Sequence, residues 1–234
     1  MKGLGIAARW IFTLCLPVLF FTASIAWGFN STWLFDYGFH KYNIGQATGI
    51  PEIELNKIGE SWKNYINSGD EYWEIRVTVN GQSFELFTPE EQIHFKDVKG
   101  LIWLDYRAGI AALIIFLAYS LTYLFLGRGS RRRHLAQSVI WGSGLTIFLM
   151  VIAGIASALD FEDLFLRFHY LVFTNPYWSA EGYMLLLFPE GFWLDAAMLV
   201  VAFMAGLAIV FGVASFIYLR ATRPKGGQTL PPIG

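Results

Sequence analysis

Residues 108–126 read AGIAALIIFLAYSLTYLFL, nineteen consecutive positions without a charge. A helix that crosses the hydrocarbon core of a bilayer needs about 20 mostly apolar residues. Three further stretches have the same character: Trp10–Gly28, Ser138–Leu159 and Trp193–Leu219, where the only charged residue is Asp195. The remainder of the chain is too short to supply the polar shell that four buried soluble helices would need. Composition agrees. The 234 residues are 55% hydrophobic and 15% charged, and ordinary soluble domains are about a quarter charged. Mean hydropathy is +0.46. A soluble globule is excluded. The single cysteine, Cys15, excludes an internal disulfide framework, a Cys-based zinc site and an iron–sulfur cluster. The net charge of −1 offers nucleic acid no basic field, so no such partner is expected.

Charge fixes the expected direction of the spans. Segments 1–9, 127–137 and 220–234 hold nine basic residues and no acidic one, whereas all 18 acidic residues lie elsewhere. Lys/Arg excess marks the cytoplasmic side. Both termini are therefore expected inside, with residues 29–107 and 160–192 facing out. The small residues Ala23, Ser24 and Ala26 resemble a signal-peptide end, but span one is long enough to stay. Trp27, Trp33, Trp103, Trp178 and Trp193 fall near outer span ends, with Trp10 and Trp141 at inner ends, as in an aromatic belt. The tail after Arg223, with Lys225 and Pro231-Pro232, reads as disordered.

The first outer segment has its own structure. Ile58, Trp62, Tyr65 and Ile66 recur at helical spacing, and Gly69 is a plausible stop. Tyr72–Val79 and Gln82–Phe87 flank Asn80-Gly81, the strongest short hairpin signal. A two-residue loop pairs Val77 with Phe84 and Ile75 with Leu86, and sets Arg76 opposite Glu85. Thr88-Pro89-Glu90-Glu91 is a helix start, with Thr as cap, Pro at the first position and Glu three residues on. The helix should run on towards span two with His94 and Asp97 on one face. So small a cap without a disulfide is expected to pack on the outer span ends. In the second outer segment Phe161, Leu164, Phe165, Phe168 and Val172 form an amphipathic stripe that Asn175-Pro176 should end. The fold class is thus an α-helical integral membrane protein of four transmembrane helices, with a small α+β extracytoplasmic cap containing a β-hairpin.

Few side chains offer chemistry. His134 sits among cytoplasmic arginines that face lipid headgroups, and His40 near the end of span one reads as structural or interfacial. Cys15 within a span is inert. No Gly-x-Ser-x-Gly is present, and Gly142-Ser143-Gly144 reads as close helix packing. His94 and His169 lie on different outer elements, beside Asp97 and Arg167 respectively. The ordinary reading of either is a packed or hydrogen-bonded histidine. Glu91-x-x-His94 is one metal-type spacing where a di-metal bundle wants two, which leaves a one-metal site of His94, Asp97 and His169 as an alternative.

Glu91-x-x-His94-x-x-Asp97-Val98-Lys99, Phe168-His169-x-x-x-Phe173-x-Asn175-x-x-Trp178 and Phe188-Pro189-Glu190-Gly191-Phe192 together resemble the bacterial lipoprotein intramolecular transacylase family. The likeness extends over almost the whole chain. It implies an enzyme of the bacterial cell membrane, its active site at the outer face. That enzyme would move an acyl chain from the glyceryl sn-2 oxygen of a diacylated lipoprotein to the α-amino group of its N-terminal cysteine. The implied catalytic residues are His94 and His169. Asp97, Arg167, Asn175, Trp178 and Glu190 are the expected substrate-binding residues, with Arg167 or a cap amide as oxyanion donor. No cofactor and no metal are implied, and the chain is expected as a monomer whose partners are the lipoprotein and membrane lipid.

An amine is already a competent nucleophile, so histidine proton transfer suffices. Two other classes compete. One is a non-enzymatic module whose cap binds a lipid or a partner; the other is a metal-dependent membrane hydrolase. Imidazoles about 4–9 Å apart suit substrate-sized proton transfer.

Overall fold

The computed structural model describes residues 2–125 and 129–223. Arg128 and the tail beyond Arg223 lie outside the described residues, and with them the expectation of a disordered tail. Among the described residues, four helices are long and apolar enough to cross a membrane: α1 (Lys2–Phe29), α5 (Pro89–Phe125), α6 (Gly129–Leu159) and α9 (Glu190–Ala221). Their outward faces carry apolar side chains such as Ile110, Ile114, Phe148, Ile155 and Val210, suited to lipid rather than water. Inside, Phe12, Leu16 and Phe20 of α1 meet Leu135 and Val139 of α6 and Met204 and Ala208 of α9. Gly142 is the small residue that permits this, because a Cβ there would collide with Leu16 and come within 3.0 Å of the Thr13 carbonyl. Gly144 has open space around it, so of the glycine pair only Gly142 packs closely. The Cys15 thiol is spent on the Ala112 carbonyl at 2.9 Å. At the arginine-rich end, Arg133 Nη1 donates to the Leu219 and Thr222 carbonyls at 3.0 and 2.8 Å, satisfying the open end of α9.

The other end of the bundle carries the cap. It begins with α2 (Thr32–Lys41), α3 (Ile44–Thr48) and α4 (Glu52–Asn67). Helix α4 buries Ile58, Trp62, Tyr65 and Ile66 and stops at Ser68, one residue before Gly69. Strands β1 (Arg76–Val79) and β2 (Gln82–Glu85) pair antiparallel, Val77 opposite Phe84 and Arg76 opposite Glu85. The Leu86 N–H donates to the Ile75 carbonyl at 2.9 Å, extending the contact by a residue. Asn80 and Gly81 both have positive φ, 52° and 80°, as a type I′ turn demands. Then α5 runs unbroken for 37 residues, from the cap through the bundle.

After α6 come α7 (Phe161–Val172), a single 3₁₀ turn (Tyr177–Ser179) and α8 (Tyr183–Leu187). The cap core gathers Phe35, Phe39, Trp62, Trp73, Phe87, Phe95, Phe188 and Phe192. Phe188 and Phe192 flank the start of α9, so cap and bundle share one apolar mass. Gly38 of α2 lies so close to the Phe192 ring that a Cβ would overlap it. A polar clasp reinforces the seam. Asp195 of α9 accepts from Lys41 Nζ at 2.6 Å and from the Tyr42 hydroxyl at 2.8 Å.

Candidate active site

His94 owes its place to the way α5 begins. The Thr88 N–H donates to Glu91 Oε2 at 2.8 Å, and the Glu91 N–H donates to Thr88 Oγ1 at 3.3 Å. This reciprocal cap, with Pro89 at the first helical position, fixes the register of the first turns. His94 follows one turn later. His169 sits on the last turn of α7, whose own start is capped by Asp160 accepting from the Asp163 N–H at 2.9 Å. α7 ends at Val172, three residues before the Asn175-Pro176 break.

These two beginnings bring the imidazoles together. Their ring centres are 6.1 Å apart and inclined by 35°. Phe173, the first residue past α7, stands edge-on to His94 at 4.8 Å and lies 5.3 Å from His169. Trp178 packs on His169 at 5.0 Å, and Phe165 at 4.1 Å. Both histidines are buried, 7% and 6% exposed.

Burial governs their protonation. Enclosure pushes the His94 imidazole well below its ordinary value, to about 4; His169 adds to the effect, and Asp97 partly opposes it. His169 is also lowered by burial, partly offset by its bond to Phe165. That bond runs from Nδ1 to the Phe165 carbonyl at 2.7 Å. A carbonyl only accepts, so Nδ1 carries the hydrogen and Nε2 keeps its lone pair. His94 Nδ1 is buried and has no partner among the described residues.

The other expected site residues divide. Asn175 Nδ2 donates to Asp97 Oδ2 at 2.8 Å, and Asn175 Oδ1 accepts the Tyr177 N–H at 3.1 Å. This bridge ties the loop after His169 to the helix of His94. Trp178 joins the pair as described. Arg167 does not: its Nε donates to Asp163 Oδ2 at 2.6 Å, and the side chain is 77% exposed. Glu190 is exposed in the first turn of α9 and likewise stands apart. Among the described residues no three His, Cys, Asp or Glu side chains are grouped to hold a metal. The Glu91 carboxylate, half of the metal-type spacing, is occupied by backbone N–H groups of Thr88 and Met184.

Near the pair lies an apolar cleft of about 50 Å³, lined by Trp27, Phe35, Trp62, Phe95, Phe188 and Trp193 among others. Phe95, which lines it, lies 6.2 Å from His94, and on the other side Phe165 packs against His169 and reaches the lining ring of Trp193 at 6.4 Å. Three contributors were not read as functional from the sequence: the Phe165 carbonyl, the Phe173 ring against both imidazoles, and the reach of Glu91 to Met184. Glu91 and Phe173 stand in the quoted motifs, but nothing in the sequence tells what they touch.

Such an arrangement can pass protons between two neutral imidazoles near an apolar cleft. A family profile described as lipoprotein intramolecular transacylase Lit matches residues 10–193. Nothing among curated proteins matches the sequence. Among solved structures, the fold is similar to the membrane-integral lipoprotein intramolecular transacylase Lit from Bacillus cereus. Identity is 20% and the TM-score 0.78, over 94% of this chain and 98% of that one. Two structures of that protein with one histidine replaced, by arginine or by alanine, are similar at 19% identity and TM-score 0.74. They cover 95% of this chain and 95% and 96% of theirs. The chain thus belongs to the Lit family of lipoprotein intramolecular transacylases, membrane-integral acyltransferases.

Proposed function

We propose that the protein transfers the sn-2 acyl chain of a diacylglyceryl-modified lipoprotein to the α-amino group of its N-terminal cysteine, leaving a lyso-form product. The observation that carries this reading is the pair of buried imidazoles 6.1 Å apart beside an apolar cleft. The attacking amine arrives largely as an ammonium, since its pKa is about 8. The ammonium gives one proton to water, and the free amine attacks the ester carbonyl. The adduct's N–H proton passes to His169 Nε2, the lone pair left by the Nδ1 bond to Phe165. Collapse breaks the bond to the glyceryl oxygen, which takes a proton from His94 as His94 receives the one held on His169. The amide and the alcohol are then complete, and both imidazoles are neutral again. Phe173 and Trp178 wall the space and exclude water. The cleft suits an acyl chain of the substrate. Arg167 as oxyanion donor would have to leave Asp163, and a cap backbone amide fits that role better.

Orientation supports the same reading. The arginine-rich ends of α6 and α9 meet at one end of the bundle and the histidines lie at the other. With the basic end inside the cell, the reaction takes place at the outer face, where lipoproteins of the bacterial membrane present their lipid. The protein acts as a monomer on lipoprotein and membrane lipid, without a cofactor.

His94→Ala and His169→Ala should each lower N-acylation by about 10²–10⁴-fold, read by mass spectrometry of a diacylated lipoprotein incubated with purified protein. Normal product from both variants removes the proposal. Activity should also survive chelators; its loss on chelation favours the metal-dependent hydrolase.

A further inference from the structure

Glu91 has no exposed surface, and it stands one turn ahead of His94. Its Oε2 belongs to the helix cap. Its Oε1 does something a cap does not need: it accepts the N–H of Met184 at 2.6 Å, from 93 positions further along the chain. Gly182 lies directly against this carboxylate, and a Cβ there would collide with all three of its outer atoms. The backbone at Gly182 is extended, φ 173°, which any residue adopts. Space, not conformation, is therefore what requires glycine at this position.

The stretch held in this way runs from Trp178 to Phe188 and spans the site. Trp178 packs on His169 at 5.0 Å. Tyr183 packs on Phe84 of the hairpin at 5.6 Å. Leu187 is fully buried, and Phe188 meets both Phe95 and Trp193 at the cleft. Among the described residues, Glu91 is the one buried side chain that hydrogen-bonds this stretch to the helix of His94.

We propose that Glu91 is a positioning residue whose carboxylate latches Gly182–Met184 onto the first turn of α5, so that the latched stretch keeps water from the ester while the amine attacks. The inference rests on the transacylase reading. Transfer breaks the ester bond to the glyceryl oxygen and forms a carbon–nitrogen bond, with the proton passing from nitrogen to that oxygen. Hydrolysis breaks the same bond and forms a carbon–oxygen bond to water. Its products are a free fatty acid and a lyso-lipoprotein whose amine is still free. The latch decides the partition between these two outcomes.

The test measures both products by mass spectrometry, using full-length protein in lipid and a diacylated lipoprotein. Glu91→Gln turns an amide NH₂ towards one of the two N–H groups, and Gly182→Ala pushes the stretch off from the other side. Each should lower kcat for N-acylation by about 10- to 100-fold, the cost of a small misplacement. Each should also raise the share of free fatty acid well above that of the unaltered protein. The share is a ratio per turnover and does not depend on how much protein is folded. Gly142→Ala loosens the helix bundle against Leu16, away from the latch, and should leave the share unchanged. An unaltered share in both latch variants, with only the amount of active protein reduced, makes Glu91 a structural cap and overturns the proposal. A raised share in Gly142→Ala as well assigns the leak to general loosening and also overturns it. If the unaltered protein itself makes no N-acylated product, the transacylase reading fails instead, so the two failures are told apart.

Discussion

Burial, more than charge, sets the working state of the two histidines. Both are held neutral at neutral pH, because enclosure penalises the imidazolium. Imidazole titration followed by NMR should place both midpoints below the ordinary 6.5, with His94 the lower, near 4. A consequence for stability follows with a definite sign. Between pH 6.5 and about 4 the unfolded chain binds a proton at residue 94 that the folded chain does not, so stability falls as pH drops through that window. His94→Gln should remove part of this acid sensitivity, measured as the pH dependence of Tm in detergent; an unchanged slope contradicts the assignment. The histidines themselves were legible in the sequence, since only four exist and two lie on unlike cap elements. Their surroundings were less so. Phe165 acts through its backbone carbonyl, which no side-chain pattern announces. Arg167 was expected near the reaction, yet Asp163 four residues earlier holds it at the surface, a pairing that helical spacing already permits.

Elements with strong local chemistry form as their residues dictate. The Asn80-Gly81 turn, the Thr88-Pro89-Glu91 cap and the Asn175-Pro176 break each act within a few residues, so they can be read without the fold. Helix α2 was not read, and the reason is physical. Leu34, Phe35 and Phe39 are buried, but the exposed face carries Trp33 and Tyr37 beside Asp36 and His40, so large rings on both faces blur the helical pattern. Gly38 in its middle looks like a helix breaker until the Phe192 ring is seen against it. The hairpin gives a clean prediction at this scale. Gly81 has open space for a side chain, so Gly81→Val pays only for its positive φ. That strain is about 1–2 kcal/mol and should lower Tm by a few degrees in thermal unfolding. A Tm unchanged or raised would show that the turn is not held in this form.

Across the whole molecule, the four apolar helices were legible because lipid imposes long uncharged runs, whereas the docking of cap on bundle through Phe188 and Phe192 was expected only in outline. Orientation is testable with the protein's single cysteine in its favour, since Cys15 is buried and bonded. Glu60→Cys, exposed on α4, should react with an impermeant maleimide on intact cells, and Arg223→Cys only after lysis. The reverse pattern would turn the protein over and remove the reaction from the outer face. Within that arrangement, α5 is a single stiff rod of 37 residues, about 55 Å long at 1.5 Å per residue. His94 stands about 21 Å ahead of Ala108, where the uncharged run begins. Leaning such a rod by about 20°, an ordinary tilt for a membrane helix, swings the imidazole sideways by roughly 7 Å. Because cap and bundle share one apolar mass, such a lean carries both imidazoles together, shifting their place over the bilayer without parting them.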